Sequence, residues 1–171
     1  MVAPVNGGPA LILPEPLQRE LIAHARAENP DEACGILAGR GSRVERVYRV
    51  RNTADAVGAD QAVFRARDSG APAQGRKAVH YYMDPKDQLR VYNELDALGL
   101  DVVGYYHSHT HTEARPSPTD VRLAHDLAAH YVLVSLQQAE QPSVRAWRIS
   151  KADPSAETGE LTEVPVLGRQ A

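Results

Sequence analysis

The chain has 171 residues, 43% of them hydrophobic, which matches one globular domain with its own core. The formal charge is -3 with both signs mixed along the sequence, which excludes the basic surface of a nucleic-acid-binding protein and a polybasic membrane patch. The single cysteine, Cys34, excludes an intrachain disulfide and any zinc site built from several cysteines. We therefore expect neither a nucleic acid nor a membrane as partner.

The N-terminal sequence MVAPVNGGPA lacks the basic start and apolar middle of a signal peptide. No apolar run approaches the ~20 residues that span a bilayer. A lone cysteine also fits a reducing compartment. We expect a cytoplasmic protein with a flexible tail at residues 1–10 and one domain at residues 11–167.

The first predicted elements are a helix and a hairpin. LQRELIAHARAENP places apolar residues at helical spacing and ends at Pro30. CGILAG and RVERVYRVRN are short apolar or β-branched runs separated by a glycine-rich turn, which predicts a β-hairpin. Glu32 therefore lies just before a strand.

Residues 53–78 carry alanine, glycine and charge without a clean period. A structureless stretch of this length inside a compact domain is usually disordered or functional. We predict an insert that acts as a lid or recognition element, with a tolerated surface insertion as the alternative.

The second half of the chain alternates strands and helices. VHYYM is a candidate strand, and Asp84 and Pro85 form the predicted start of a helix that stops at Gly99. DVVGYYHS and YVLVSL are predicted buried strands, SPTDVRLAHDLAA a short helix, and SVRAWRIS an edge strand. These elements predict an α/β fold with about three helices around one sheet.

His107 and His109 stand two apart at the end of a predicted strand. If the strand continues through them, both imidazoles project from the same face. Asp120 follows eleven positions later, close enough for a turn to return its carboxylate to the histidines. Two imidazoles and one carboxylate leave a fourth zinc position open for water, as catalytic sites require.

The sequence SPTD also has a purely structural interpretation. Ser117 suits an N-cap, Pro118 the first helical position and Asp120 the third, which together resemble a capping box. Capping explains Ser117 and Asp120 without a metal ion. It does not explain a polar HSHTH run at the end of a buried strand, because unpaired polar groups are costly to bury.

The complete spacing resembles the JAMM motif of the MPN-plus zinc metalloproteases. The stretches NPDEACGILAG and YYHSHTHTEARPSPTD are similar to those of a bacterial subgroup, the CysO-cysteine peptidases, and the resemblance covers most of residues 17–150. It implies a single MPN domain, also called JAB1/MPN and cytidine-deaminase-like. In that fold a mixed central sheet is flanked by about three helices.

The resemblance also implies the role of each motif residue. His107, His109 and Asp120 would bind one zinc ion per chain. Glu32 would deprotonate the attacking water, and Ser117 would hydrogen-bond the oxyanion.

Three residues depart from the motif or lie beside it. Thr110 stands where many family members have proline, although the CysO-cysteine peptidase group also has threonine there. His111 is an additional histidine, which we place in the substrate groove or behind the ligands, because a fourth protein ligand would leave no position for water. Cys34 is predicted to pack as a small buried hydrophobe.

The function that the resemblance implies is hydrolysis after the Gly-Gly of a small β-grasp, ubiquitin-like sulfur-carrier protein, releasing cysteine from a carrier–cysteine adduct. An extended Gly-Gly tail suits pairing with a strand edge, for which the strands beside the histidines are candidates. The alternatives are removal of a ubiquitin-like modifier from lysine, trimming of a carrier precursor, or a non-catalytic MPN scaffold. A zinc base deaminase is excluded, because its PCxxC ligands need two cysteines.

Overall fold

Three α-helices and eight β-strands make up the regular structure of residues 9–57 and 75–169, the part of the chain that the computed structural model describes. They are, in chain order, β1 (Leu11–Ile12), α1 (Glu15–Glu28), β2 (Cys34–Arg40), β3 (Arg43–Val50), α2 (Pro85–Leu98), β4 (Asp101–His109), α3 (Pro118–Leu123), β5 (His130–Ser135), β6 (Ser143–Ser150), β7 (Glu160–Val164) and β8 (Val166–Leu167). The predicted mixed sheet with about three helices is confirmed.

The strands form one sheet in the order β7-β6-β5-β4-β2-β3-β1-β8. β4 lies near the middle, antiparallel to β2 and parallel to β5. This pairing sets Cys34 opposite His107, so the start of β2 meets the end of β4. β5 pairs with β4 as far as His109, whereas β2 pairs no further than Ser108, so the candidate pairing edges beside the histidines stay a prediction.

The helices cover the two faces of the sheet separately. On one face α1 buries Leu21 and Ala25 against Tyr106 and other core residues. On the opposite face α2 buries Val91 and Leu95 against the β2 side chains that include Cys34. α3 joins α2 on that face, since both pack against Tyr105. Alternate residues of β4 therefore point to opposite sides of the molecule.

The ends of α2 follow the predicted signals. The Asp84 side chain accepts hydrogen bonds from the backbone N–H groups of Lys86 at 2.8 Å and Asp87 at 3.0 Å. Gly99 ends the helix at a φ of 63°, a left-handed conformation that glycine adopts without a Cβ penalty. The predicted boundaries of this helix are confirmed.

α3 is much shorter than the predicted helix, which extended to residue 129. Lys151 ends it, because its ammonium donates to the carbonyls of Val121 at 3.1 Å and of Ala124 at 2.8 Å. These carbonyls would otherwise lack partners at a helix C-terminus. The donor lies just after β6, far along the chain, so a local pattern could not locate this boundary.

Three strand predictions need correction. VHYYM forms no strand, and only Met83 makes an isolated bridge, with Asn52. β6 is an interior strand, because β7 pairs along its outer edge. β1, β7 and β8 were not predicted, since two of them have two residues each and β7 carries mostly polar residues.

Residues 1–8 of the predicted tail and residues 58–74 of the predicted insert lie outside the described residues, so the lid stays a prediction. The described ends of the insert form two 3-10 turns, Ala54–Ala56 and Arg76–Ala78. They contact each other through the Asp55 carboxylate, which accepts from the Lys77 backbone N–H at 3.1 Å. Among the described residues, no helix combines the length and apolar character needed to cross a membrane.

Candidate metal centre

Three polar side chains converge where β4 ends and α3 begins. The Nε2 atoms of His107 and His109 lie 3.2 Å apart, and each lies 3.2 Å from Oδ2 of Asp120. The two histidines are buried and Asp120 is nearly so. The structure thus brings together the three residues predicted to bind metal, as one group of potential ligands.

The local structure explains this convergence. β4 continues through His109, so strand alternation projects both imidazoles toward the face that carries α2 and α3. β4 ends there, which takes His111 out of the alternation and leaves it exposed. Within the described residues, His111 does not belong to the group of potential ligands.

Asp120 is held in place by the start of α3. The backbone N–H of Ser117 donates to Asp120 Oδ2 at 2.7 Å, and the backbone N–H of Asp120 donates to Ser117 Oγ at 3.1 Å. This is a complete capping box. The structural and the metal-binding interpretations of SPTD therefore coexist on the same residues, and the Ser117 hydroxyl keeps its proton free to donate.

The three groups shift one another's protonation. Burial raises the pKa of Asp120, but the charges and hydrogen bonds of His107 and His109 outweigh it and hold that pKa well below its usual range. Burial lowers the pKa of His107 despite the opposing effect of Asp120. Burial also acts to lower the pKa of His109, but the bond and charge of Asp120 together raise it. The carboxylate is therefore ionised and ready to bind a cation.

Hydrogen bonds on the side of the ring that faces away from Asp120 orient His109. Its Nδ1 lies 2.9 Å from the carbonyl of Glu113, which leaves Nε2 as the atom facing the cluster. The neighbouring carbonyls are also held, since Ser135 Oγ donates to that of Thr112 at 2.6 Å and Trp147 Nε1 to that of Ala114 at 2.9 Å. Three consecutive carbonyls thus fix the turn that orients the imidazole.

Glu32 lies just ahead of β2 and is buried, with 5% of its surface exposed. The β2–β4 pairing extends to Ala33, whose backbone N–H donates to Ser108 Oγ at 2.8 Å. Burial, and secondarily the negative charge of Asp120, raises the pKa of Glu32 well above its usual range. A carboxyl group whose pKa is raised, close to a metal-ligand cluster, is suited to accept a proton and to return it.

Tyr81 contributes to the site although the sequence offered no signal for it. Its ring stacks on that of His107, with ring centroids 4.2 Å apart and planes inclined by 26°. It also lines a cavity of about 310 Å³ together with Tyr105, Tyr131 and Leu123. The sequence also gave no indication of the hydrogen bond from Trp147 to the turn after His109.

Cys34 is fully buried and free. Burial raises its pKa far above the ordinary thiol value, and its Sγ lies 3.4 Å from the carbonyl of Val50. Since the thiolate is the nucleophilic form, this cysteine is unsuited to attack a substrate. The structure agrees with the predicted packing role.

The ligand atoms fit a zinc ion by type and by spacing. Zinc binds imidazole nitrogen and carboxylate oxygen at about 2.0–2.1 Å, and two tetrahedral ligands at that range lie about 3.3 Å from each other. The three separations of 3.2 Å are close to this value. Three protein ligands also leave one coordination position for a water molecule or a substrate.

Comparison with known proteins identifies the family of this chain. Residues 14–150 match the family described as prokaryotic homologs of the JAB domain. The chain is 37% identical to the CysO-cysteine peptidase of Mycobacterium tuberculosis, over 91% of this chain and 89% of that protein. It is 31% identical to a probable TtuB-protein conjugate cleaving protease of Thermus thermophilus, over 68% of this chain and 65% of that one.

Solved structures agree on the fold. The solution structure of DSY2949 from Desulfitobacterium hafniense superimposes with a TM-score of 0.68 at 30% identity, covering 92% of this chain and 91% of that one. The JAB1/MPN domain protein AF2198 of Archaeoglobus fulgidus superimposes with a TM-score of 0.52 at 17% identity, covering 94% and 100% of the two chains. This chain belongs to the prokaryotic JAB family and is a metallopeptidase of the JAMM type.

Proposed function

We propose that this protein hydrolyses the amide bond that follows the C-terminal Gly-Gly of a small ubiquitin-like sulfur carrier and releases cysteine from a carrier–cysteine adduct. The observation that carries the proposal is the cluster of His107, His109 and Asp120 at mutual separations of 3.2 Å, with a buried Glu32 of raised pKa beside it. The 37% identity to a CysO-cysteine peptidase, over nearly the whole chain, supports this carrier class.

His107, His109 and Asp120 hold one zinc ion in this proposal. When bound, zinc supplies a Lewis acid that polarises the scissile carbonyl and makes water a stronger acid. The chain supplies the orientation of the ligands. The Glu113 carbonyl fixes the His109 ring, the capping box fixes Asp120, and the Tyr81 ring restrains His107 by stacking.

Glu32 is the general base and then the general acid. Its carboxylate takes a proton from the attacking water, and its raised pKa lets it hold that proton until the leaving amine receives it. Burial of the side chain keeps bulk water from exchanging the proton in the meantime. The negative charge of Asp120 contributes to the same shift, so the metal ligand and the base are coupled.

Ser117 stabilises the oxyanion that forms at the scissile carbonyl. Its Oγ already accepts from the Asp120 backbone N–H, which leaves the hydroxyl proton available to the substrate. The helix start fixes the hydroxyl before the substrate arrives, and preorganised donors of this kind need no rearrangement during the reaction.

The Gly-Gly preference has a steric reason. The ligands are buried, and they contact the start of α3, the turn after His109 and the Tyr81 segment, residues 80–82. A tail without side chains can lie extended against such closely packed elements with its scissile carbonyl close to the cluster. Because β2 and β5 together pair both sides of β4 as far as Ser108, the tail would run beyond that point, beside the Tyr81 segment or the turn after His109.

A second candidate keeps the site and changes the bond. The Thermus thermophilus relative is described as cleaving protein conjugates, which favours an isopeptidase that removes a ubiquitin-like modifier from lysine. Both reactions present a Gly-Gly carbonyl to the same residues and differ in the leaving amine. Trimming of a carrier precursor is a third variant of the same chemistry.

Intact-mass analysis separates these activities. A β-grasp carrier ending in Gly-Gly-Cys, incubated with the zinc-loaded protein, should lose the mass of one cysteine residue, and a chelator should abolish the loss. The Glu32→Gln variant, which removes the base but keeps the shape, should retain zinc and lose about 10²–10⁴-fold in rate.

Each alternative gives a different spectrum. An unchanged carrier alongside cleavage of a lysine-linked conjugate would replace the cysteine-releasing function with the isopeptidase. Removal of a longer C-terminal extension would favour precursor trimming. Full activity of Glu32→Gln with zinc bound would refute the role of Glu32 as general base.

A further inference from the structure

Asn52 occupies a position where its side chain uses its full hydrogen-bonding capacity. It lies two residues after the end of β3, and its Nδ2 donates to the carbonyls of Glu32 at 3.0 Å and His80 at 3.1 Å. Its Oδ1 accepts from the backbone N–H groups of Ala54 at 3.0 Å and Tyr82 at 3.1 Å. A carboxamide offers two donors and two acceptor positions, and all four are occupied.

The hydrogen bond from Asn52 to the Glu32 carbonyl is important because Glu32 lies ahead of the paired part of β2. Ala33 is the last residue fixed against β4, through two bonds with Ser108 at 2.8 and 2.9 Å. The Glu32 backbone N–H donates to the carbonyl of Lys77 at 2.6 Å. The Glu32 carbonyl is held by Asn52. The amide therefore fixes the peptide from which the proposed base projects.

The other bonds of Asn52 reach the opposite wall of the site. His80 and Tyr82 flank Tyr81, whose ring stacks on His107. A single side chain thus connects the residue that carries the base with the segment that restrains a ligand. The distance between the Glu32 carboxylate and the cluster depends on both.

We propose that Asn52 is a positioning residue for the reaction, one that sets the Glu32 carboxylate relative to the His107–His109–Asp120 cluster through the backbone of Glu32 and the Tyr81 segment. This inference rests on the proposed role of Glu32 as general base. Asn52 itself does not touch the reacting atoms. Loss of the Asn52 bonds should lower kcat, because a displacement of about 1 Å in a catalytic group costs about 100-fold in rate.

The fold does not depend on the Asn52 amide alone. The backbone already joins the two segments, since the Thr53 N–H donates to the carbonyl of Tyr82 at 2.8 Å and the Asp84 N–H to that of Arg51 at 2.9 Å. Loss of the amide donors therefore leaves this bridge in place and releases the carbonyls of Glu32 and His80. This separates a positioning role from a general structural one.

The test is Asn52→Asp, which keeps the shape and both acceptor positions but sets an oxygen against the carbonyls of Glu32 and His80. With the zinc-loaded protein and a carrier ending in Gly-Gly-Cys, kcat should fall about 10–100-fold. KM and zinc affinity should change by less than about 3-fold, since the ligand atoms lie on β4 and α3. The matched control is Asn93→Asp, the same change at an exposed position of α2, which should leave kcat unchanged.

A double-mutant cycle with Glu32→Gln shows whether Asn52 acts through Glu32. If it does, adding Asn52→Asp to Glu32→Gln should reduce the residual rate no further, because residues that act as a unit are non-additive. An equal additional loss in the Gln background would overturn the inference. So would an unchanged kcat in Asn52→Asp, or a loss of zinc affinity parallel to the loss of kcat.

The proposed function fails in a distinguishable way. If Glu32→Gln alone keeps full turnover, the base is misassigned, whatever Asn52→Asp does. If Asn52→Asp does not fold, as judged by its thermal transition, Asn52→Ala enters the same cycle, because water can then satisfy the freed carbonyls. Additivity of Asn52→Ala with Glu32→Gln would overturn the inference in the same manner.

Discussion

Buried histidines lie on both sides of β4, but their electrostatic environments differ. On the α1 face, His24 is 4% exposed and its Nδ1 lies 2.7 Å from the hydroxyl of Tyr106. Burial lowers its pKa to about 4, so it is neutral near pH 7. On the opposite face His107 and His109 are equally buried, but both contact the ionised carboxylate of Asp120. Tyr106 and His107 are adjacent in sequence, but their side chains lie on opposite faces of β4, one beside His24 and the other beside Asp120.

The difference shows what distinguishes a site from a core. At His24 every polar group has a neutral or distant partner, and the nearest carboxylate oxygen, of Glu28, lies 3.8 Å away. At the cluster, three basic atoms converge on one point with a negative charge among them, which is unfavourable for packing alone and favourable for a cation. Both regions are buried, but potential metal-ligand atoms converge only in the cluster of His107, His109 and Asp120.

The largest effect should come from removing a converging atom. His109→Ala deletes one of the three ligand atoms and the bond to the Glu113 carbonyl. Zinc affinity should fall by more than the roughly 100-fold that outer hydrogen-bond partners of a metal ligand are worth, and turnover should be undetectable. Zinc retained after dialysis, measured by elemental analysis, reports the result.

His111→Ala is the matched control for this experiment. His111 is exposed and lies just beyond β4, two residues after His109. This variant should retain a full equivalent of zinc. Zinc retained in His109→Ala, or zinc lost in His111→Ala, would contradict the ligand set.

Ser117 should give the next largest effect, because it belongs to both the fold and the proposed chemistry. Ser117→Ala removes the helix cap, at a cost of about 1 kcal/mol in unfolding free energy. It also removes the proposed oxyanion donor, which should lower kcat by about 10²-fold. Ser117→Thr keeps the hydroxyl and should restore both quantities. A loss of stability without a loss of kcat would leave Ser117 with a structural role alone.

The sequence predicted those parts of the molecule whose signals are local. The α2 helix carries its own cap in Asp84 and its own stop in Gly99, so its limits follow from the short stretch between these two residues. The shared orientation of His107 and His109 could be predicted locally too, because strand alternation alone puts both side chains on one face. The capping box joins Ser117 to Asp120 within one turn.

The features that escaped prediction depend on distant residues. α3 ends early because Lys151 reaches back from beyond β6 to its carbonyls. Tyr81 stacks on His107 from a segment that Asn52 and the backbone bridge hold in place. No periodicity records such contacts, since each joins residues about 30 positions apart through tertiary structure.

A substitution at Trp147 tests whether this residue, which does not contact the cluster, helps to orient His109. Trp147→Phe keeps the aromatic packing and removes the bond to the Ala114 carbonyl, which helps to hold the turn that orients the imidazole. Zinc affinity, measured by competition with a chromogenic chelator, should fall about 10-fold, or about 1.4 kcal/mol. At saturating zinc kcat should be nearly normal. An unchanged affinity would show that the Glu113 carbonyl orients His109 without help from β6.

The smallest effect is expected on the other face, where His24 makes stability depend on pH. An unfolded histidine titrates near pH 6.5, whereas the pKa of His24 is lowered to about 4 in the folded protein. Between these values the unfolded chain binds more protons, so stability falls as the pH falls. The loss from this group should be about 1 kcal/mol between pH 6.5 and 5.5, and it should stop below about pH 4.

His24→Asn isolates this contribution, because an amide can accept from the Tyr106 hydroxyl but does not titrate. Urea unfolding of both proteins in the presence of a chelator removes the proton release that accompanies zinc binding. The variant should be less stable than the parent at pH 7.5, since the smaller side chain packs less well. The difference should narrow as the pH is lowered to 5.5, because the parent then loses stability that the variant never had. A difference that stays constant over this range would mean that His24 titrates alike in the folded and unfolded chains, and the contrast between the two faces of β4 would then rest on the convergence of ligand atoms alone.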